Sequence, residues 1–316
     1  MTDIKISTCG DHWLNPQEVI EQIRATHPNE PIVLNLGSEG ASLRALGIVD
    51  IVTQTSNEQG RDLGSVSIKS WPNLVETVPF QRADNHRISH FFWMADRYRD
   101  TPIASPTDQH LFALFIGRRT WPRMRIAYDL QRMLGQRFML SMMRDGPYDS
   151  PYGINLDSEH VWSNNRDFKI WYSSPSVDSI DGHDFRDQYD GEQNTHADLL
   201  RHYHKFSIEI VCEAHTRGSC FFPTEKTVRP LAAGKPIMVY GSRGFLARLR
   251  DLGFQTWNGL WNEDYDDLEG FDRWLAMRSQ IQLLANCINT MPKMAIDIAE
   301  HNRQHAKALA DRYRPQ

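Results

Sequence analysis

The stretch FSIEIVCEAHTRGSCFFPTEKTVRPLAAGKPIMVY (206–240) decides the fold. Its first seven residues, Phe206 to Cys212, are apolar and β-branched enough for a buried strand, and Pro236 to Tyr240 reads as the next one. Between them Thr224-Glu225-Lys226 opens a short helix that ends at Gly234. Glycine accepts the left-handed conformation of a helix C-terminus, and Pro236 cannot continue the helical hydrogen bonds. A strand, a helix and a strand in this order require a parallel pair. Thr224 stands where an N-cap belongs, so the first amides of the helix and the Lys226 ammonium are expected to converge on one anion, with a diphosphate as the fitting guest.

The same alternation extends outward. Upstream, Leu111 to Ile116 reads as a strand, Gly117-Arg118-Arg119 as a turn, Arg123 to Leu134 as a helix and Phe138 to Ser141 as a strand. At the start of the chain, Ile4 to Ser7 predicts a strand, Pro16 to Thr26 an amphipathic helix, and Ile32 to Leu36 a strand entering the Gly37-Ser38-Glu39-Gly40 turn. Leu43 to Leu46 and Ile48 to Val52 suggest another helix and strand broken by Gly47. The expected fold is α/β with parallel sheets in two domains. Residues 1–107 would form the first and 108–290 the second, with a C-terminal helix over 291–316. A helix over Ile88 to Tyr98 would carry the aromatic cluster Phe91-Phe92-Trp93 into the core, and residues 146–195, rich in Asp, Ser, Gly, Pro and Tyr, read as a long excursion of the second domain.

At 316 residues and 40% hydrophobic content the chain can bury a large core. A start without an apolar signal core, and no later apolar run long enough for a bilayer, predict a soluble cytoplasmic protein with no membrane span. The four cysteines, Cys9, Cys212, Cys220 and Cys287, lack metal-site spacing and read as reduced thiols. A net charge of −5 argues against a globally basic nucleic-acid coat, but Arg118, Arg119, Arg123, Arg125, Arg132, Arg137 and Arg144 crowd one segment in which only Asp129 and Asp145 are acidic. A local phosphate-binding groove is one reading of that crowding, since the guanidinium fork matches phosphate; GC-rich coding is the other.

Together these features resemble the α-1,3-fucosyltransferase family and its relatives among glycosyltransferases with two facing Rossmann-like domains, the GT-B architecture. Cys212-Glu213-Ala214-His215 stands where that family has Phe-Glu-Asn-Ser, Thr224-Glu225-Lys226 matches its Ser/Thr-Glu-Lys triplet, and Ala233-Gly234-Lys235-Pro236-Ile237 matches its Ala-Gly-x-x-Pro-Val. The segment 111–134 is similar to the strand, Arg-containing loop and helix that open the family's donor domain. The resemblance spans about residues 108–275, and the Thr-Glu-Lys unit also looks like that of phage and bacterial proteins. It implies transfer of a sugar from a nucleotide-sugar co-substrate to an intracellular acceptor, a glycan or a DNA base, with inversion and without a metal. Lys226 and one Arg among Arg118, Arg123 and Arg125 would hold the diphosphate, with Thr224 at the helix start. Glu225 would accept from the ribose hydroxyls and Glu213 would lie at the donor sugar. Ala214 and His215 replace the family's Asn and Ser, which leaves the sugar open.

A general base is expected from the first domain, where Asp11, His12 and Glu39 fall on loops after predicted strands. Two further groups invite a metal and are read otherwise. His301 and His305 share a helix face without a third ligand nearby, and Asp264-Tyr265-Asp266, an Asp-x-Asp, reads as a surface loop. From a different class comes the alternative of a non-catalytic nucleotide or nucleic-acid binding module that uses the Arg-rich segment.

Overall fold

A computed structural model describes residues 1–9, 12–36, 41–71, 76–82, 109–117, 120–142, 167, 199–288 and 290–312. The chain groups into two units. One comprises Met1–His90 with Ala214–Pro223 and Gly241–Phe245; the other comprises Phe91–Glu213, Thr224–Tyr240 and Leu246–Gln316. The expected boundary near residue 107, the helix over 88–98 and nearly all of the excursion 146–195 lie outside the described residues.

The first unit begins with β1 (Thr2–Lys5) and a two-residue antiparallel ribbon, β2 (Thr8–Cys9) and β3 (His12–Trp13). Helix α1 (Pro16–Ala25) follows, then β4 (Ile32–Asn35), α2 (Ile48–Glu58), β5 (Val66–Lys69) and β6 (Gln81–Arg82). Pro16 sits at the helix start, where its missing N–H is no loss, and Val19 and Ile23, four apart, bury one face of α1. Ile48 to Val52 departs from expectation. This β-branched run is the first half of α2, not a strand, because Gly47 turns the chain at φ 74° and Ile48, Val49 and Val52 recur at helical spacing toward the core. Tertiary burial overrides local β propensity here. Leu43–Leu46, read as a helix, is a turn.

The four strands pair in parallel in the order β1-β4-β5-β6, with Ile4, Leu34 and Ile68 in register. Each step across this sheet goes the same way. Right-handed crossovers therefore keep α1 and α2 on one face, where they pack against each other over Ile4, Ile32, Leu34, Val52 and Ile68. Arg61 ties this layer together: its guanidinium donates to the carbonyls of Thr26 (2.8 Å), His27 (3.0 Å) and Glu30 beyond the end of α1.

The second unit holds β7 (His110–Ile116), α3 (Trp121–Leu134), β8 (Phe138–Met142), β9 (Phe206–Cys212), α4 (Glu225–Ala232) and β10 (Ile237–Tyr240). Helices α5 (Phe245–Asp251), whose first residue is assigned to the other unit, α6 (Gly270–Cys287) and α7 (Lys293–Arg312) complete the chain. Its sheet is again parallel, but the order is β8-β7-β9-β10. From β7 the chain moves outward to β8, then returns to the other side of β7 and proceeds to β9 and β10. The protein is thus α/β with two four-stranded parallel sheets and helices, compatible with two Rossmann-like domains. Among the described residues only the second sheet reverses its strand order.

Candidate functional site at the reversal of the second sheet

In an open parallel sheet, a reversal of strand order leaves adjacent connections diverging to opposite faces, and a crevice opens at the carboxyl ends of the two strands. Here those strands are β7 and β9. The chain leaves β7 through residues 117–120 into α3, and leaves β9 at Glu213.

Arg123 and Arg125, both on the first turn and a half of α3, are separated by the fold. The Arg123 guanidinium reaches across the reversal and donates to the Glu213 carbonyl at 3.0 Å. Arg125 instead turns along its own helix to Asp129 at 2.9 Å and lies over the Phe271 ring. Asp129 also accepts from the Trp274 indole at 2.8 Å, so this cluster joins α3 to α6. Further along the Arg-rich segment, Arg132 donates to the Tyr128 hydroxyl and to Asp167, while Arg137 donates to the Ala285 and Ile288 carbonyls around the end of α6. The four described arginines of the segment therefore serve internal bonds. Arg118 lies outside the described residues.

The helix start opposite them is built from two acids, two threonines and a lysine. Glu213 is 2% exposed. Its carboxylate accepts from the Thr224 amide (3.1 Å), the Thr224 hydroxyl (2.6 Å) and the Thr227 hydroxyl, which anchors the first turn of α4 to the end of β9. The Thr224 hydroxyl, having donated to Glu213, uses its lone pairs to accept from the Lys226 amide and ammonium, both at 3.3 Å. Lys226 also pairs with Glu225, and both side chains retain 19% exposure. The anion expected at this helix start is in part the protein's own: Glu213 complements the helix dipole where a phosphate was predicted. What solvent meets is the Glu225–Lys226 pair, an acceptor beside a cation.

One helical turn deeper, a buried polar cluster absent from the sequence reading lies against the same strand. Glu209 within β9 and Glu213 just past its end, four residues apart in extended chain, both reach α4, since side chains alternate along such a chain. The Arg229 guanidinium donates to Glu209 (2.8 Å) and to the Tyr203 hydroxyl (2.6 Å), and that hydroxyl donates to the second Glu209 oxygen at 2.5 Å. Burial raises the Glu209 carboxyl and the Tyr203 phenol, with Arg229 acting against both shifts. Lys235, 4% exposed, donates to the Phe206 carbonyl at 2.7 Å; burial pulls its ammonium down to about 8, with Glu209 opposing. A glutamate in the middle of FSIEIVC was the available signal, because a carboxylate in a buried strand requires a partner.

Other candidates fall elsewhere. Asp11 and Glu39 lie outside the described residues; His12 opens β3, and only its backbone is described. Asp264-Tyr265-Asp266 is not a surface loop. Tyr265 and Asp266 are 1% and 5% exposed, and the Asp266 carboxylate accepts from the Leu246 and Ala247 amides at the start of α5 and from Arg273. His301 and His305 stack 6.0 Å apart and face the Gly253 and Leu252 carbonyls, so they close the end of α5. Among the described residues, no three His, Cys, Asp or Glu side chains group as metal ligands, and no helix is long and apolar enough to cross a membrane. Cys212, Cys220 and Cys287 form no disulfide, and burial pushes the Cys212 thiol up to about 12.

Comparison with protein-family models, with curated proteins and with solved structures gave no match.

Proposed function

We propose that the chain is a glycosyltransferase of GT-B type that binds a nucleotide sugar at the carboxyl ends of β7 and β9. The observation that carries this reading is the reversal of strand order there, flanked by Arg123 on one side and by the Glu225–Lys226 pair on the other. Cleavage of a sugar–phosphate bond adds a negative charge to the two already on the diphosphate, and positive charge already in place stabilises it without reorganising. Lys226 and Arg123 supply that charge. Glu225, released from Lys226 as the ammonium turns to phosphate, accepts from a ribose diol.

In the transfer, an acceptor oxygen attacks the anomeric carbon, the bond from that carbon to the diphosphate oxygen breaks, and the acceptor proton passes to a base. Asp11, His12 and Glu39, after strands of the first unit, are the candidates for that base. The acceptor is a glycan or a DNA base.

A thermal-shift screen against GDP-, UDP-, ADP- and dTDP-sugars tests the reading, because a ligand that favours the native state raises the melting temperature. A rise with one base is expected. Lys226→Ala should then lower affinity about a hundredfold at unchanged melting temperature of the free protein, since its ammonium is bonded only locally. No rise with any donor, or unchanged affinity in the variant by calorimetry, overturns it.

A further inference from the structure

Helix α4 has eight residues and carries Pro230 in its interior. Proline has no N–H, so the Lys226 carbonyl, four residues earlier, receives no helical hydrogen bond from it. A helix this short is marginal alone and takes its position from packing. Its buried Val228, Leu231 and Ala232 supply apolar contact, which is non-directional and tolerates rotation. Hydrogen-bonded ion pairs are directional. Arg229 is 1% exposed, and its fork is held by Glu209 and Tyr203 while its face lies over the Phe115 and Tyr203 rings. Buried ion pairs add little net stability over apolar residues of the same volume, so stability does not by itself account for this one.

We propose that the Glu209–Arg229–Tyr203 cluster is a positioning element: it fixes the rotation and register of α4 on β9, and so presents Lys226 to a nucleoside diphosphate at the reversal. The two glutamates, Glu209 in β9 and Glu213 just past its end, grip α4 at two points, Glu213 at Thr224 and Thr227, Glu209 at Arg229. A slip of one residue would rotate the helix about 100° and carry Lys226 away from the end of β9. The ligand part of this inference rests on the nucleotide-sugar reading; the geometric part does not.

The test replaces the cluster with apolar residues of similar volume, Tyr203→Phe, Glu209→Leu and Arg229→Met together, in the full chain. The melting temperature should be unchanged or higher. Amide hydrogen exchange at Lys226, Thr227 and Val228 should nevertheless quicken roughly tenfold relative to β9, and affinity for the nucleoside diphosphate that binds best among GDP, UDP, ADP and dTDP should fall about tenfold. A merely structural cluster would move neither at constant stability, so unchanged exchange overturns the inference. Should the triple variant fail to fold, Arg229→Lys keeps the charge, loses the fork, and is expected to give the same response at about threefold; unchanged exchange there is equally fatal. If exchange responds but the wild type binds none of the four, the positioning role stands and the nucleotide-sugar reading falls.

Discussion

The two sheets are built alike and differ in one step. Both are parallel and four-stranded, and both place a buried glutamate beyond their strands to hold a turn. Glu76 accepts from the Ser42 hydroxyl (2.8 Å) and the Leu43 and Arg44 amides in the first unit; Glu213 holds Thr224 and Thr227 in the second. In the first sheet the strands run on in one direction, so α1 and α2 lie on one face. In the second the order turns back between β7 and β9. A carboxylate holding a turn is therefore common to both sheets; what sets the second apart, and what the proposed site rests on, is the reversal with a charge pair beside it. The units can be perturbed separately to test this.

The largest expected effect is in the second unit. Arg229→Ala leaves Glu209 buried without its guanidinium, and urea denaturation should show a loss of about 3–5 kcal/mol. A loss below 1 kcal/mol would mean that the strand relaxes and hydrates Glu209. Lys235 gives the next effect, read through pH. Its folded-state value of about 8 lies below the ordinary 10.5, so between those values the unfolded chain binds the proton and the folded one does not. Stability from this group is thus fully present above 10.5 and lost as pH falls through 8. The difference in unfolding free energy between wild type and Lys235→Met should change by up to about 3 kcal/mol in favour of the wild type from pH 7.5 to 10.5. A flat difference would show that Lys235 is hydrated in solution.

What the sequence disclosed and what it hid divide along the same line. β7, β9, β10 and α4 were legible because apolar runs bounded by Gly117, Gly234 and Pro236 leave little choice of element. Ile48–Val52 misled because β-branched residues favour strands locally, while the Gly47 turn and burial on one face are tertiary facts. Strand order was not legible at all, since hydrophobic periodicity records that a strand is buried and not which strand lies beside it. The roles of Glu213 and Asp266 were hidden for a related reason. Each bonds amides that are distant in sequence, 11 residues away for Thr224 and 20 for Leu246, and a carboxylate's partners at that range follow from the packed fold.

In the first unit, Gly218 supplies the next effect. It sits at φ 62°, and a β-carbon there would lie 2.5 Å from the Ser42 hydroxyl oxygen and 2.8 Å from the Ala45 β-carbon. Gly218→Ala should cost about 2–3 kcal/mol, combining left-handed strain with overpacking. Gly60→Ala, at φ 69° with open space around it, should cost about 1 kcal/mol by strain alone. Equal losses would show that Ser42 yields, and with it the bond it donates to Glu76.

Comparably small effects bear most directly on the comparison. Glu76→Gln and Glu213→Gln keep side-chain volume and replace one accepting oxygen with a donor that faces donors. Each removes charge-assisted bonds at a buried turn, 6% and 2% exposed, and each should lower stability by about 1–2 kcal/mol. Stability alone would not separate them. Their ligand response should: if the reversal defines the site, Glu213→Gln changes the thermal shift given by a nucleotide sugar, because it loosens the turn that carries Lys226, whereas Glu76→Gln lowers the baseline and leaves the shift intact. Equal changes in both variants would place the site's determinants outside the β7–β9 reversal and remove the distinction drawn between the two sheets.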